Sequence, residues 1–146
     1  DSEAYGKPVV GVDFSECSKN AAVLAAKIVP EQPLTFVSAY NIPYKNLTTE
    51  MTLDGELSMR DILRAEAELK TPIKDFEAAL SLSQSFEWVL VEGGPSLVLD
   101  REARRVGADL LCVGPHARSW IAKAMLGSTT EKLLADPPCD VLVAPL

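Results

Sequence analysis

Asp109-Leu110-Leu111-Cys112-Val113-Gly114-Pro115-His116-Ala117-Arg118-Ser119, followed by Leu126-Gly127-Ser128-Thr129-Thr130-Glu131, is the stretch that decides how this chain is read. An apolar strand stops at a glycine, a short loop follows, and a second glycine opens a helix that begins with hydroxyl residues. Chains carry such a feature where backbone N–H groups face an anion, because exposed amides at a helix N-terminus favour negative charge. The run Asp109 to Val113 is nearly all apolar, which fits a strand covered on both faces. By spacing alone, the segment is either an anion site or two ordinary helix-boundary turns.

Working outward, strands and helices alternate. Pro8 to Val12 reads as a first strand, and Ser15 is placed to cap a helix with apolar Ala21, Leu24, Ala25 and Ile28 at helical spacing. Leu34 to Tyr40 is a second strand. A polar, irregular stretch, 41–55, leads into a long helical region from about Glu56, where Pro72 predicts a kink or restart at Thr71. Phe86 to Val91 is a third strand and Gly93-Gly94-Pro95 a turn. Ser96 would cap a helix to Val106, with Gly107 just past its end. Asp109 to Val113 is the fourth strand. Ser128 and Glu131 have capping-box spacing for a helix to about Asp136, which Pro137-Pro138 stops. Asp140 to Ala144 is the fifth strand. This order predicts an α/β fold, a parallel sheet with helices on both faces. Ligands of such sheets sit beyond the carboxyl ends of the strands where strand order reverses, so Asp13 and Gly114 are the pair expected to flank the crevice.

Composition narrows the function. The 146 residues suit one domain, 1–146, and 47% hydrophobic with 24% charged residues fits a globular chain. The net charge of −7 argues against a nucleic-acid surface, which needs excess Lys and Arg. No apolar run approaches the roughly 20 residues of a membrane helix, so no membrane partner is expected. Asp1-Ser2-Glu3-Ala4-Tyr5 is unlike a signal peptide, and Cys17, Cys112 and Cys139 form no CxxC pair, so a reduced, cytoplasmic compartment is expected. Cys112 reads as a small buried hydrophobe. Cys17 falls in a first helical turn, where the dipole lowers a thiol pKa while Glu16 opposes it.

The sequence lacks Walker A, G-x-G-x-x-G and G-x-S-x-G patterns, and a single histidine anchors no zinc site. Asp13 is not paired with a second carboxylate. A dedicated catalytic apparatus is therefore not expected.

Over almost its whole length the chain resembles the universal stress protein family. The resemblance is carried by Val9-Val10-Gly11-Val12-Asp13-Phe14-Ser15, Gly93-x-Pro95, Ala108-Asp109-Leu110-Leu111-Cys112-Val113-Gly114 and Pro138-Cys139-Asp140-Val141-Leu142-Val143. The family's ATP-binding branch has Gly, two residues, Gly, nine residues, then Gly-Ser or Gly-Thr. Here Gly114 and Gly127-Ser128 keep that spacing, and Ala117 replaces the middle glycine. An alanine leaves the backbone N–H available at negative φ and costs about 1 kcal/mol at positive φ.

The resemblance implies a five-stranded Rossmann-like sheet of order 3-2-1-4-5 and reversible binding of ATP, or of AMP or ADP, with magnesium held through the phosphates. Gly11, Val12 and Asp13 would meet ribose and adenine, Ala39 the adenine edge, and Val113 the base. Gly114, His116 and Ala117 would line ribose and phosphates, and Gly127, Ser128, Thr129 and Thr130 would hold phosphates. Arg118 is either solvated or a phosphate contact. His116 fits a hydrogen-bonding loop residue better than a general base, since a phosphate would raise its pKa. Trp120 would cover the nucleotide, meet a partner or pack on the last helix. Family members pair through the last strand, which implies a homodimer through Asp140 to Ala144, with a further protein partner unidentified. Two rivals stand beside this stress-response reading: an interaction module with a degenerate pocket, and a slow ATPase.

Overall fold

Strands β1 (Pro8–Gly11), β2 (Leu34–Tyr40), β3 (Phe86–Glu92), β4 (Leu110–Val113) and β5 (Asp140–Val143) form one sheet in the computed structural model, which describes residues 5–41, 59–115 and 128–145. The helices are α1 (Glu16–Ile28), α2 (Met59–Glu68), α3 (Lys70–Leu80), α4 (Pro95–Val106) and α5 (Ser128–Ala135). The strand order is β3-β2-β1-β4-β5 and every pairing is parallel, as expected. The chain builds outward from β1 through β2 to β3, then returns to the other side of β1 for β4 and β5. The order therefore reverses between β1 and β4.

Register explains the two cores. Val10 lies beside Phe36 and Cys112, and these side chains share one face with Ala21, Ala22 and Ala25 of α1 and Phe76 of α3. Val9 lies beside Leu111, and that pair shares the other face with Val37, with Val98 and Leu99 of α4, and with Leu133 of α5. Successive residues of a strand point to opposite faces, so a central strand covered on both sides must be apolar throughout. β1 and β4 are buried along their whole length. Burial raises the Cys112 thiol to about 12, which makes it the inert core residue expected.

Ser15 caps α1: its Oγ accepts from the Ser18 N–H at 3.2 Å. The buried face of α1 is Ser18, Ala21, Ala22 and Ala25, whereas Ile28 is 43% exposed, contrary to the stripe read from the sequence. The smallest side chains let the helix backbone lie close to the sheet, and the larger ones flank it. The break in the second helical region falls at Leu69 rather than Thr71. Pro72 has no N–H for the carbonyl four residues back and its ring crowds that carbonyl, so α2 ends at Glu68. The Leu69 N–H closes a tight turn onto the Glu66 carbonyl at 3.1 Å, and Pro72 then sits harmlessly in the first turn of α3. For α4 the cap is Gly94 rather than Ser96, and Pro95 occupies the first helical position, where no amide hydrogen is needed.

Asp109 lies just outside β4. Its carboxylate instead accepts the N–H groups of Gly6 at 2.8 Å and Lys7 at 2.9 Å, tying the segment before β1 to the segment before β4. Around β2 and β3 the rings of Phe14, Phe36, Phe76, Phe86 and Trp88 pack with centroids 4.9–5.9 Å apart. Trp88 Nε1–H donates to Glu77 at 2.8 Å and so locks α3 onto this cluster. No helix among the described residues is long and apolar enough to cross a membrane.

Candidate functional site

A cleft opens beyond the carboxyl ends of β1 and β4, where the strand order reverses. Its volume is about 90 Å³, far more than a packing void that holds one water. Apolar walls come from Val12, Val37, Ala39, Leu99 and Val113, and the polar groups come from Asp13, Ser15, Thr129 and Thr130. This location follows from the topology: β1 and β4 send their chains to opposite faces, so nothing in the sheet fills the gap between them.

Two glycines shape the cleft by what they leave out. A Cβ on Gly114 would stand 2.6 Å from Cys17 Cβ and 3.0 Å from the Cys17 carbonyl carbon. Glycine at the end of β4 therefore lets the first turn of α1 press against the strand end. A Cβ on Gly11 would meet Leu99 Cδ1 at 2.9 Å and Val113 Cγ1 at 3.2 Å. Its absence lets Leu99 reach the floor of the cleft from α4.

At the mouth, Asp13 Oδ1 accepts the Ser15 N–H at 3.0 Å and also the Ser15 hydroxyl. Both of these bonds fall on Oδ1, and Asp13 Oδ2 has no hydrogen-bond partner among the described residues. On the far side, the first turn of α5 brings Thr129 and Thr130 to the cleft. The Thr130 hydroxyl donates to the Gly114 carbonyl at 2.8 Å, and Thr130 is buried. Its hydrogen is thus committed to holding α5 against β4, a use that the phosphate-binding role expected of it did not anticipate. At the β2 end, Tyr40 lies next to Ala39 and its hydroxyl donates to Glu66 at 3.0 Å. Burial, with the Glu66 carboxylate, raises this phenol to about 12, so it stays neutral.

Of the residues expected at the site, Gly11, Val12, Asp13, Ala39, Val113, Gly114, Thr129 and Thr130 line this one cleft. Ser128 opens α5, and its side chain lies outside the described residues, as do His116, Ala117, Arg118, Trp120 and Gly127. Ser18, Val37, Pro95 and Leu99 also line the cleft and were not singled out in the sequence, where Ser15 was read only as a cap and Cys17 only as a helix-terminal thiol. The signal for Pro95 was available, because a helix following a strand starts at the ligand-binding edge of such a sheet. Leu99 had no such signal: its approach depends on the missing Cβ of Gly11. Among the described residues no group of three His, Cys, Asp or Glu side chains is placed to hold a metal ion.

The comparisons agree with this architecture. Universal stress protein A homolog 2 of Coxiella burnetii is 34% identical over 86 residues, covering 59% of this chain and 56% of that protein. A universal stress protein solved in complex with cAMP is 28% identical, with a TM-score of 0.64 and 98% of each chain covered. The universal stress protein of Archaeoglobus fulgidus, solved in complex with dAMP, is 18% identical with a TM-score of 0.61, covering 97% of this chain and 99% of its own. The model of the universal stress protein family matches residues 4–145, and with sheet order, cleft and sequence in agreement, the chain belongs to that family.

Proposed function

We propose that this protein binds an adenine nucleotide between the carboxyl ends of β1 and β4 and acts through that binding in a cytoplasmic stress response. The observation that carries the reading is the polarity of the cleft. An apolar slot of Val12, Val37, Ala39, Leu99 and Val113 suits a purine, the Asp13 carboxylate offers an acceptor at the mouth, and the α5 N-terminus lies opposite. Base, ribose and phosphate present their chemistry in that order. The cAMP complex of the 28% identical family member supports the choice of adenine. ATP is the proposed ligand, with Gly114, His116, Ala117 and Arg118 beside ribose and phosphates. Gly127, Ser128, Thr129 and Thr130 would receive the phosphates, through which magnesium would be held. The helix dipole favours that charge by about 0.3–1 kcal/mol.

Binding rather than turnover is the proposed role. Asp13 is the one carboxylate lining the cleft among the described residues, and Ser15 already occupies one of its oxygens. Mass spectrometry of the nucleotide released from freshly purified, denatured protein tests the reading, with calorimetric titration of ATP plus magnesium, AMP and cAMP. Released ATP and saturable binding are expected, and Gly127→Val should abolish binding while the fold survives. Released ADP would point to hydrolysis. A wild-type protein that carries no nucleotide and titrates with none would leave the cleft without this function.

A further inference from the structure

The turn that follows β1 is strained at its centre. Phe14 has φ 67, a left-handed conformation that a bulky L-residue adopts only where its surroundings enforce it. Both of its neighbours, Asp13 and Ser15, line the cleft. The bond from the Ser15 N–H to Asp13 Oδ1 closes a turn around Phe14, and that bond fixes the direction of the carboxylate.

What enforces this conformation is the packing of the Phe14 ring, which belongs to a core cluster and is not among the residues that line the cleft. The Phe14 ring stacks on Trp88 with centroids 5.9 Å apart and planes at 19°, and meets Phe76 edge-on at 5.9 Å and 87°. Trp88 is itself held by Glu77, and Phe76 is fully buried. A relaxed φ at Phe14 would swing the ring out of this cluster. We infer that Phe14 is a positioning residue: its ring, clamped by Trp88 and Phe76, holds the Asp13–Ser15 turn left-handed and so presents the Asp13 carboxylate to the nucleotide. The inference rests on the adenine-nucleotide reading for its consequence in binding, but not for the geometry of the turn.

Alanine and glycine at position 14 separate this role from simple packing. Both remove the ring, but glycine adopts positive φ freely whereas alanine does not. Nucleotide affinity, measured with ATP plus magnesium, should fall about tenfold in Phe14→Ala, the factor that corresponds to the left-handed penalty. Phe14→Gly should recover most of that loss. The Ser15 amide, followed by hydrogen exchange in NMR spectra, reads the turn without any nucleotide. It should be protected in the wild type and in Phe14→Gly, and should exchange about tenfold faster in Phe14→Ala. Equal protection in all three proteins, or a glycine variant as impaired as the alanine one, overturns the inference. Wild-type protein that binds no nucleotide would end the proposed function instead, and Ser15 exchange would still decide the role of Phe14. Should Phe14→Ala not fold, Trp88→Leu removes the stacking ring without touching the turn. It should speed Ser15 exchange, and unchanged exchange there overturns the inference equally.

Discussion

Gly114 is a ligand-loop residue in the family pattern, yet its nearest obligation is to the protein itself. The space where its Cβ would be is taken by Cys17 Cβ, 2.6 Å away, so Gly114→Ala must push α1 off the end of β4. Overpacking of this kind typically costs about 1–3 kcal/mol, and a melting temperature several degrees lower is expected by calorimetry. Cys17→Ala should not rescue that variant, because the clash is with Cβ, which alanine keeps; full recovery would show that the sulfur is what obstructs. Ala117 makes the opposite case. It stands where the family pattern has glycine, and restoring that glycine should change ATP affinity little, since one methyl group can point away from a phosphate. A gain of tenfold or more on titration, about 1.4 kcal/mol, would mean that position 117 demands positive φ and that the natural alanine weakens binding.

Hydrogen bonds made by individual side chains help to join the elements of this fold, and their removal is measurable. The Thr130 hydroxyl is the tie between α5 and the end of β4, and both its partner, the Gly114 carbonyl, and Thr130 lie in the cleft wall. Thr130→Val keeps the shape but leaves a carbonyl unpaired, at a cost of about 1–3 kcal/mol, so both melting temperature and nucleotide affinity should fall. Thr130→Ser should restore both, and a serine variant as weak as the valine one would assign the effect to the methyl group. Asp109 ties the segment before β1 in the same manner. Burial raises its carboxyl pKa, but the N–H groups of Gly6 and Lys7 outweigh that and hold it below the ordinary 3.8. A lowered folded-state pKa means stability that is present above the unfolded value and lost as pH falls through the folded one. The melting-temperature gap between wild type and Asp109→Asn should therefore be full near neutral pH and shrink below about pH 4. A gap independent of pH would remove the charge from the explanation. Strand-helix alternation and the Asp13–Gly114 crevice were legible in the sequence because they follow from apolar runs, caps and prolines, whereas the sheet order and the rest of the cleft came from the family resemblance. Gly94 rather than Ser96 as the α4 cap, and Leu69 rather than Thr71 as the helix break, were not: each depends on which backbone group a proline one to three residues later leaves free. Nor were Leu99 in the cleft floor and the left-handed Phe14, which exist only through contacts between distant segments.

At the scale of the whole molecule, the sheet has two open edges, and they differ in how they could meet a second copy. β3 is the longer, Phe86–Glu92, but carries exposed Glu87 and Glu92 near its ends, and charged side chains on an open edge discourage pairing with another strand. β5 is short and half-buried from Val141 to Val143, and its one carboxylate, Asp140, already accepts the Tyr5 hydroxyl at 2.8 Å. A two-fold pairing of β5 with β5 buries an apolar ribbon and continues the sheet across the interface, which makes it the proposed homodimer contact. Val141→Lys should shift the protein toward monomer in light scattering, because it places a charge in that ribbon, whereas Glu87→Lys on the other edge should leave the dimer unchanged. Each chain carries a net charge of −7, so association also brings like charges together. Added salt screens that repulsion within about 10 Å at 0.1 M, and the dimer should tighten as salt rises. A wild-type protein that stays monomeric at high concentration and high salt would rule out the β5 pairing. Loss of the dimer in Glu87→Lys but not in Val141→Lys would move the interface to β3.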